Sequence, residues 1–148
     1  MTYTIRKAEM GDLDAIFALV QQFATSFHPE QSAFENSAKQ LLTDESAWLG
    51  VAEVEPDGEL IGYCLGFDHF TFYANGRVAW VEEIMVKTEH RRQGVGRLLM
   101  ESFEAWANLR HARLVALATR RAAPFYLASG YEESAIYFRK LLSSSDQD

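Results

Sequence analysis

The chain has 148 residues and a formal net charge of −7, with 48% hydrophobic and 24% charged residues. This length and composition predict one globular domain with a buried core. The sequence has no run of about 18 apolar residues, so we expect no membrane-spanning helix and no membrane partner. The negative net charge argues against general binding to nucleic acid. We therefore expect one domain over residues 1–142, followed by a polar tail at 143–148.

The distribution of charge and cysteine adds two expectations. Residues 1–76 contain 12 acidic and 3 basic side chains, whereas residues 77–148 contain 9 acidic and 11 basic ones. This favours an anionic ligand in the second half and a cationic one near the first, although an ordinary acidic surface gives the same imbalance. The single cysteine, Cys64, excludes an intrachain disulfide, and the first residues lack a basic-then-apolar signal pattern. Both features favour a cytoplasmic protein.

Hydrophobic periodicity divides the chain into short strands and amphipathic helices. In chain order, the pattern predicts a strand at 3–7, helices at 11–24 and 32–42, strands at 48–54, 60–73 and 77–86, a helix at 94–109, a strand at 114–118, a helix at 121–129 and a final strand at 134–141. Asn75-Gly76 is a strong hairpin signal, because both residues tolerate positive φ. The run 114–118 is continuously apolar, which indicates a strand buried on both faces. We predict an α/β (α+β) fold in which helices flank a mixed, mainly antiparallel, twisted sheet.

A basic connector with two glycines, residues 91–96, joins the strand at 77–86 to the following helix. A glycine turn at a helix start is an anion site, because unpaired backbone N–H groups converge where the helix dipole is positive. The dinucleotide fingerprint fails, since Leu99 occupies the position of its third glycine. The nucleoside-triphosphate loop also fails, since Gly96 is followed by Arg97-Leu98 instead of Lys-Ser/Thr. A pyrophosphate site without a metal remains, and the spacing of the four histidines predicts no metal site.

Two segments resemble motifs of a known family. The spacing Val86-(x)4-Arg91-x-x-Gly94-x-Gly96 resembles the acetyl-CoA-binding motif of the GNAT superfamily of N-acyltransferases. Residues 122–131 resemble the second motif of that family, a short helix that ends in glycine and an aromatic residue. The resemblance covers nearly the whole chain and implies a GNAT N-acetyltransferase with acetyl-CoA as co-substrate. It also implies that the strand at 77–86 carries a bulge and splays from its parallel neighbour at 114–118, which leaves a gap for the thioester.

The resemblance further implies which residues bind acetyl-CoA. Backbone groups of Met85 and Val86 would pair with the pantetheine arm, as another strand would. Family members often have asparagine where this chain has Thr119, and the shorter threonine hydroxyl is the available substitute. Backbone N–H groups of the connector would bind the pyrophosphate. The connector residues implied in cofactor binding are Arg91, Arg92, Gln93, Gly94, Val95, Gly96 and Arg97.

Acetyl transfer to an amine requires a general base, because an amine with a pKa of about 10.4 is almost fully protonated at neutral pH. The strand at 77–86 carries two adjacent carboxylates. From the resemblance to polyamine acetyltransferases we assign the base to Glu82, with Glu83 as an amine-binding or second catalytic residue. Tyr126 stands where the family often places the general acid for the leaving thiolate. The structural alternatives are solvated strand residues for the glutamates and a core residue for Tyr126.

The acceptor side is less defined by sequence. Phe27 and His28 lie in the loop between the first helices, which often forms a wall of the acceptor pocket in this family; the alternative is an ordinary surface loop. Asp68 is a candidate for binding a cationic acceptor, with an ordinary hairpin residue as the alternative. We expect direct transfer to a small cationic amine or a peptide amine, because Cys64 lies on the wrong strand to be a nucleophile. The alternative is a regulatory or scaffold module that binds acyl-CoA without turnover. Dimers are common in this family, and the late strands offer an edge for a homodimer.

Overall fold

The computed structural model describes residues 1–24 and 27–142, so the tail predicted at 143–148 lies outside the described residues. The sheet has five strands in the order β1-β2-β3-β4-β5. The strands are β1 (Tyr3–Lys7), β2 (Ala47–Val54), β3 (Glu59–Thr71), β4 (Gly76–Val86) and β5 (Val115–Leu117). The helices are α1 (Leu13–Phe23), α2 (Gln31–Thr43), α3 (Val95–Leu109) and α4 (Ala123–Ala128), with 3₁₀ turns at Met10–Asp12 and Thr88–His90. The first four strands pair in antiparallel fashion and β5 is parallel to β4, which confirms the predicted fold class.

The β3–β4 hairpin is the centre of the sheet. Its turn places Asn75 at φ 62° and Gly76 at φ 149°, the positive values that this dipeptide was predicted to supply. The two strands then pair from Thr71↔Gly76 to Gly62↔Val86. One edge of β4 is therefore paired with β3 along the whole length of the strand, whereas its other edge pairs with β5 over three residues only.

Helices cover the two faces of the sheet with separate hydrophobic clusters. Helix α3 packs on one face through Leu99 and Phe103, both fully buried. Gly66 on β3 makes room for α3, because a Cβ there would lie 2.2 Å from Cε1 of Phe103. On the opposite face, Ile16 and Leu19 of α1 pack against the sheet, and α2 also contributes to this layer.

A bulge interrupts the β3–β4 pairing close to the two carboxylates. Leu65 pairs with Glu83, but the next residue, Gly66, pairs with Val81, so Glu82 has no partner opposite it. Pairing of β4 with β5 ends at Val81, and from there to Val86 β4 is paired only with β3 among the described strands. The bulge and the splayed central strands implied by the family resemblance are therefore present.

The last predicted strand, at 134–141, is wrong, because the structure has no strand there. The alternating pattern is real, but β5 has only three residues and offers a short edge for a further strand. Ile136 and Phe138 are instead 80% and 86% exposed, and the ring of Tyr137 stacks on Trp80 with centroids 6.3 Å apart. Among the described residues no strand pairs with the outer side of β5, so β5 is an edge strand and its residues are half-buried. The prediction that this strand is buried on both faces is therefore also wrong. Within the described residues, no helix is both long and apolar enough to cross a membrane.

Candidate active site

The connector after β4 forms a turn with free backbone donors. Gly94 is the N-cap residue of α3 at φ 86°, and Arg92 also has a positive φ of 63°. In the described part of the chain, the backbone N–H groups of residues 92–97 donate to no backbone acceptor, and Leu98 makes the first helical bond, to the Gly94 carbonyl at 3.0 Å. These donors surround the positive end of α3, so the turn is suited to bind an anion such as a pyrophosphate.

The side chains of the connector have different environments. Arg91 donates through Nε to the Val86 carbonyl at 2.9 Å and so holds the connector against the end of β4. Arg92 and Arg97 are exposed and have no ion pair among the described residues, which leaves both cations available to an anionic ligand. Gln93 accepts a hydrogen bond from the Tyr3 hydroxyl at 3.3 Å.

Val95 and Gly96, the first two residues of α3, hold the turn in position against the core and α4. Val95 is 1% exposed and packs in the core beneath α3. Gly96 faces α4, because a Cβ at this position would lie 3.5 Å from the ring of Phe125. Of the predicted cofactor-binding residues, Val95 is therefore a buried core residue, and Gly96 is the position at which α3 and α4 lie close together.

The open edge of β4 presents backbone groups in alternation. The Lys87 N–H donates to the Ile61 carbonyl at 2.8 Å, and hydrogen-bonded pairs alternate along an antiparallel ladder. Met85 therefore turns its backbone groups towards β3, whereas Ile84 and Val86 turn theirs towards the gap beside β5. The geometry favours Val86 over Met85 for pantetheine contact and adds Ile84, which the two-residue period of the strand could have indicated.

Thr119 lies in the loop between β5 and α4. Its Oγ1 accepts a hydrogen bond from the Ala122 N–H at 3.0 Å and thereby closes the turn before α4. The side chain is exposed, and its hydroxyl hydrogen stays available for donation. Thr119 thus has a structural contact of its own in addition to its predicted contact with the cofactor.

The bulge separates the two carboxylates. Glu83 is half-buried and lines a cavity between α1, α2 and the sheet. Glu82 is exposed and does not line this cavity. The Tyr63 hydroxyl donates to Oε1 of Glu83 at 2.8 Å. Burial, followed by the charge of Glu83 and this hydrogen bond, raises the pKa of Tyr63, so the phenol remains a donor that orients Glu83.

A cavity of about 340 Å³ lies between α1, α2 and the sheet. Phe27 and His28 line it, and so does Glu83, which brings three of the predicted substrate-binding residues together. Its remaining walls are mainly apolar side chains from the two helices and from β2 and β3. The cavity therefore places the Glu83 carboxylate among mainly apolar walls.

Asp68, the fourth predicted substrate residue, lies elsewhere and is neutralised by arginine. Its side chain is 1% exposed and is held by Arg110, whose Nη2 lies 3.2 Å from Oδ1, and by Arg77, whose Nε lies 3.5 Å from Oδ1. Asp68 does not line the cavity. Its carboxylate links α3 to the central hairpin, so we do not retain it as an acceptor-binding residue.

Tyr126 is 7% exposed on α4 and is part of the core on the α3 side. The rings of Phe125 and Tyr131 contact it edge-on at 4.9 and 5.8 Å. Burial raises the pKa of Tyr126, so the hydroxyl is protonated at neutral pH. Among the described residues this hydroxyl has no hydrogen-bond partner, which leaves it free to donate to a ligand.

Neither a metal cluster nor an activated cysteine appears in the described part of the chain. The side chains of residues 1–24 and 27–142 include no group of three or more His, Cys, Asp or Glu that could hold a metal ion. Cys64 is fully buried, and burial raises its pKa to about 12, so it is a neutral thiol.

These features define a class of protein. The sequence of residues 13–131, which includes the glycine turn at the start of α3, matches the acetyltransferase (GNAT) family. The chain belongs to this family.

The chain is similar to other proteins in sequence and in fold. The aminoalkylphosphonate N-acetyltransferase of Salmonella typhimurium is 27% identical over 142 residues, covering 93% of this chain and 90% of the relative. An uncharacterised N-acetyltransferase of Archaeoglobus fulgidus is 28% identical over 134 residues, covering 82% of this chain and 88% of the relative. Among solved structures, the glucosamine-6-phosphate N-acetyltransferase of Arabidopsis thaliana has a TM-score of 0.84 at 20% identity, covering 97% of this chain and 100% of that chain. The aminoglycoside N-acetyltransferase AAC(6')-Iy in complex with CoA has a TM-score of 0.81 at 21% identity, covering 94% and 95%.

Proposed function

We propose that this protein transfers the acetyl group of acetyl-CoA directly to the amine of an acceptor bound in the cavity at Glu83. One observation carries the proposal: a single strand, β4, ends in the free-donor connector and carries Glu83 into the cavity. The donor and the acceptor would therefore meet along the unpaired edge of β4.

The connector suits the pyrophosphate of acetyl-CoA. The free N–H groups of residues 92–97 would bind its oxygens, and the exposed Arg92 and Arg97 would add positive charge. The open edge at Ile84 and Val86 would pair with the pantetheine arm. A fold neighbour solved with CoA supports this use of the fold.

Glu83 is the carboxylate that the geometry favours for binding and deprotonating the amine. It faces the cavity and is oriented by Tyr63, whereas Glu82 is exposed at the bulge. The neutral amine would attack the thioester carbonyl, and the carbon–sulfur bond would break to release the thiolate of CoA. The assignment of the base to Glu82 stays a prediction, and the variants Glu82→Gln and Glu83→Gln test the two glutamates separately.

Tyr126 is proposed as the acid that protonates the leaving thiolate. Its protonated hydroxyl has no hydrogen-bond partner among the described residues, which supports this role because the donor is available for the sulfur atom. Direct transfer is proposed because the only thiol, Cys64, is buried and un-ionised. The free thiol fits a reducing compartment, so a cytoplasmic location is part of the proposal, as is the homodimer suggested by the family resemblance.

The test is release of the CoA thiol from acetyl-CoA in the presence of a panel of primary amines. We expect amine-dependent release of one thiol per acetylated amine. Tight binding of CoA without release for any amine would reject the enzyme and favour the alternative, a scaffold module that binds acyl-CoA.

A further inference from the structure

We propose that the acceptor is a small primary amine with an apolar chain or ring, and that acceptors bearing phosphate or phosphonate are excluded. This inference rests on the proposed acetyl transfer only in naming the bound amine as the acceptor. The cavity itself supplies the observations.

Most of the residues that line the cavity are apolar. Helices α1 and α2 and strands β2 and β3 all contribute hydrophobic side chains to it. The apolar lining includes Ile16, Val20, Phe34, Leu41, Leu49 and Leu65. Such walls bind methylene and aromatic groups, but they would leave the hydroxyl and amino groups of a sugar without hydrogen-bond partners.

The charged groups of the cavity have a single sign. Glu83 and Glu30 both line it, and its described lining contains neither lysine nor arginine, so that His28 is the one basic side chain among the described lining residues. Phosphate and phosphonate groups are bound in proteins by arginine, lysine or helix N-termini. Glu30 is itself the N-cap residue of α2, so a carboxylate lies at the helix end that could otherwise attract an anion.

This arrangement distinguishes the chain from two proteins that it resembles. Their names specify an aminoalkylphosphonate and glucosamine-6-phosphate, and each of these acceptors carries an anionic group. The volume of about 340 Å³ is near the lower end of the ~300–1,000 Å³ typical of ligand sites, which favours a compact acceptor. We therefore expect this protein to use a different class of acceptor from those that the two names specify.

The experiment compares three amines that share a five-carbon chain and differ at the far end: pentylamine, 5-amino-1-pentanol and 5-aminopentylphosphonate. We expect the highest kcat/KM for pentylamine and a value at least a hundredfold lower for the phosphonate. In the series from propylamine to hexylamine, kcat/KM should rise about fourfold per methylene until the cavity is full. An equal or higher kcat/KM for the phosphonate, or no dependence on chain length, would overturn the inference.

A pair of variants at Ser37 tests the sign of the charge directly. Ser37 is an exposed residue on the cavity lining, so its replacement leaves the core intact. Ser37→Arg should raise kcat/KM for the phosphonate at least tenfold, whereas the neutral Ser37→Gln should not. The same gain in both variants would contradict the electrostatic argument.

Calorimetric binding of the same amines to the CoA-saturated protein separates this inference from the proposed function. If no amine is acetylated, the proposed function fails, and the affinities alone decide the inference. Tighter binding of pentylamine than of the phosphonate would support it, and the reverse order would reject it. If amines are acetylated but the phosphonate is preferred, the function stands and the inference falls.

Discussion

At the scale of single residues, the bulge in β4 determines what each carboxylate can do. The sequence shows two adjacent glutamates, and simple alternation places them on opposite faces. It does not show which face meets a cavity, because that depends on α1 and α2 packing on one side of the sheet. The structure places Glu83, and not Glu82, in the cavity.

Other residues show the same limit. The negative charge of Asp68 suggested a cation-binding site, but its partners Arg77 and Arg110 are distant in sequence and only the fold brings them together. Phe27 and His28 line the cavity, because the loop that carries them follows a helix that also lines it, and their contact with the acceptor stays a prediction.

Tyr126→Phe should lower kcat by about a hundredfold and leave the binding of acetyl-CoA unchanged. The reason is that the variant removes one hydroxyl that would act only when the thiolate leaves, a contribution typical of general acids. Steady-state kinetics with acetyl-CoA as the varied substrate measures both quantities.

Tyr131→Phe is the matched control for Tyr126→Phe. Tyr131 contacts Tyr126 but donates to Oε2 of Glu104 at 2.5 Å, so its loss should affect stability rather than rate. A normal kcat in Tyr126→Phe would return Tyr126 to a purely structural role.

At the scale of elements, sequence patterns predicted every strand and helix up to residue 128 within a few residues of the observed bounds. Periodicity and turn residues depend on local geometry, so they predict individual elements well. Each of these elements also pairs within the sheet or packs on one of its faces. The expected strand at 134–141 failed because pairing is not a local property, and β5 offers only three residues as an edge. The same argument explains why β5 is less buried than its apolar run predicted.

Arg110→Met should lower the free energy of unfolding by about 2 kcal/mol. Arg110 caps α3 and holds the carboxylate of Asp68, whose side chain is 1% exposed, on β3. The variant would leave this buried charge with Arg77 alone, whose Nε is 3.5 Å away. Urea unfolding measures the change.

Arg139→Met is the control for Arg110→Met, because Arg139 is exposed on the segment after α4. Its unfolding free energy should be that of the parent protein. Equal stability of Arg110→Met and Arg139→Met would show that the ion pair does not hold α3 to the hairpin.

At the scale of the whole molecule, buried acidic groups set the pH range of stability. Burial raises the pKa of Tyr63, Tyr126 and Tyr131, and it raises the pKa of Cys64 to about 12. In contrast, the hydrogen bond from Arg6 lowers the pKa of Asp12. The unfolded chain would therefore ionise its thiol and phenols first as pH rises, and the folded chain would keep Asp12 ionised to lower pH.

The unfolding free energy should be highest between about pH 5 and 8 and should fall above about pH 8.5, where the unfolded thiol loses its proton. Each group contributes a slope of about 1.4 kcal/mol per pH unit between its unfolded and folded pKa values. Below about pH 4 the contribution of Asp12 is lost as the pH falls through its folded pKa. Urea unfolding from pH 3 to 11 measures this profile.

Cys64→Ala tests the alkaline limb separately. Between about pH 8.5 and 10 the unfolding free energy of this variant should fall less steeply with pH than that of the parent protein, because alanine has no proton to release. An identical alkaline profile in the variant and the parent protein would show that Cys64 does not contribute.

The central claim is that the acceptor amine loses its proton at Glu83 in the cavity. The most direct measurement is the pH dependence of kcat/KM for pentylamine in Glu83→Gln and Glu82→Gln. We predict that Glu83→Gln lowers kcat/KM by about 10²–10⁴-fold at neutral pH and makes it rise steadily towards the amine pKa of about 10.4. Glu82→Gln should keep the parent profile, and the opposite pattern, with the loss in Glu82→Gln and a parent-like profile in Glu83→Gln, would contradict the account.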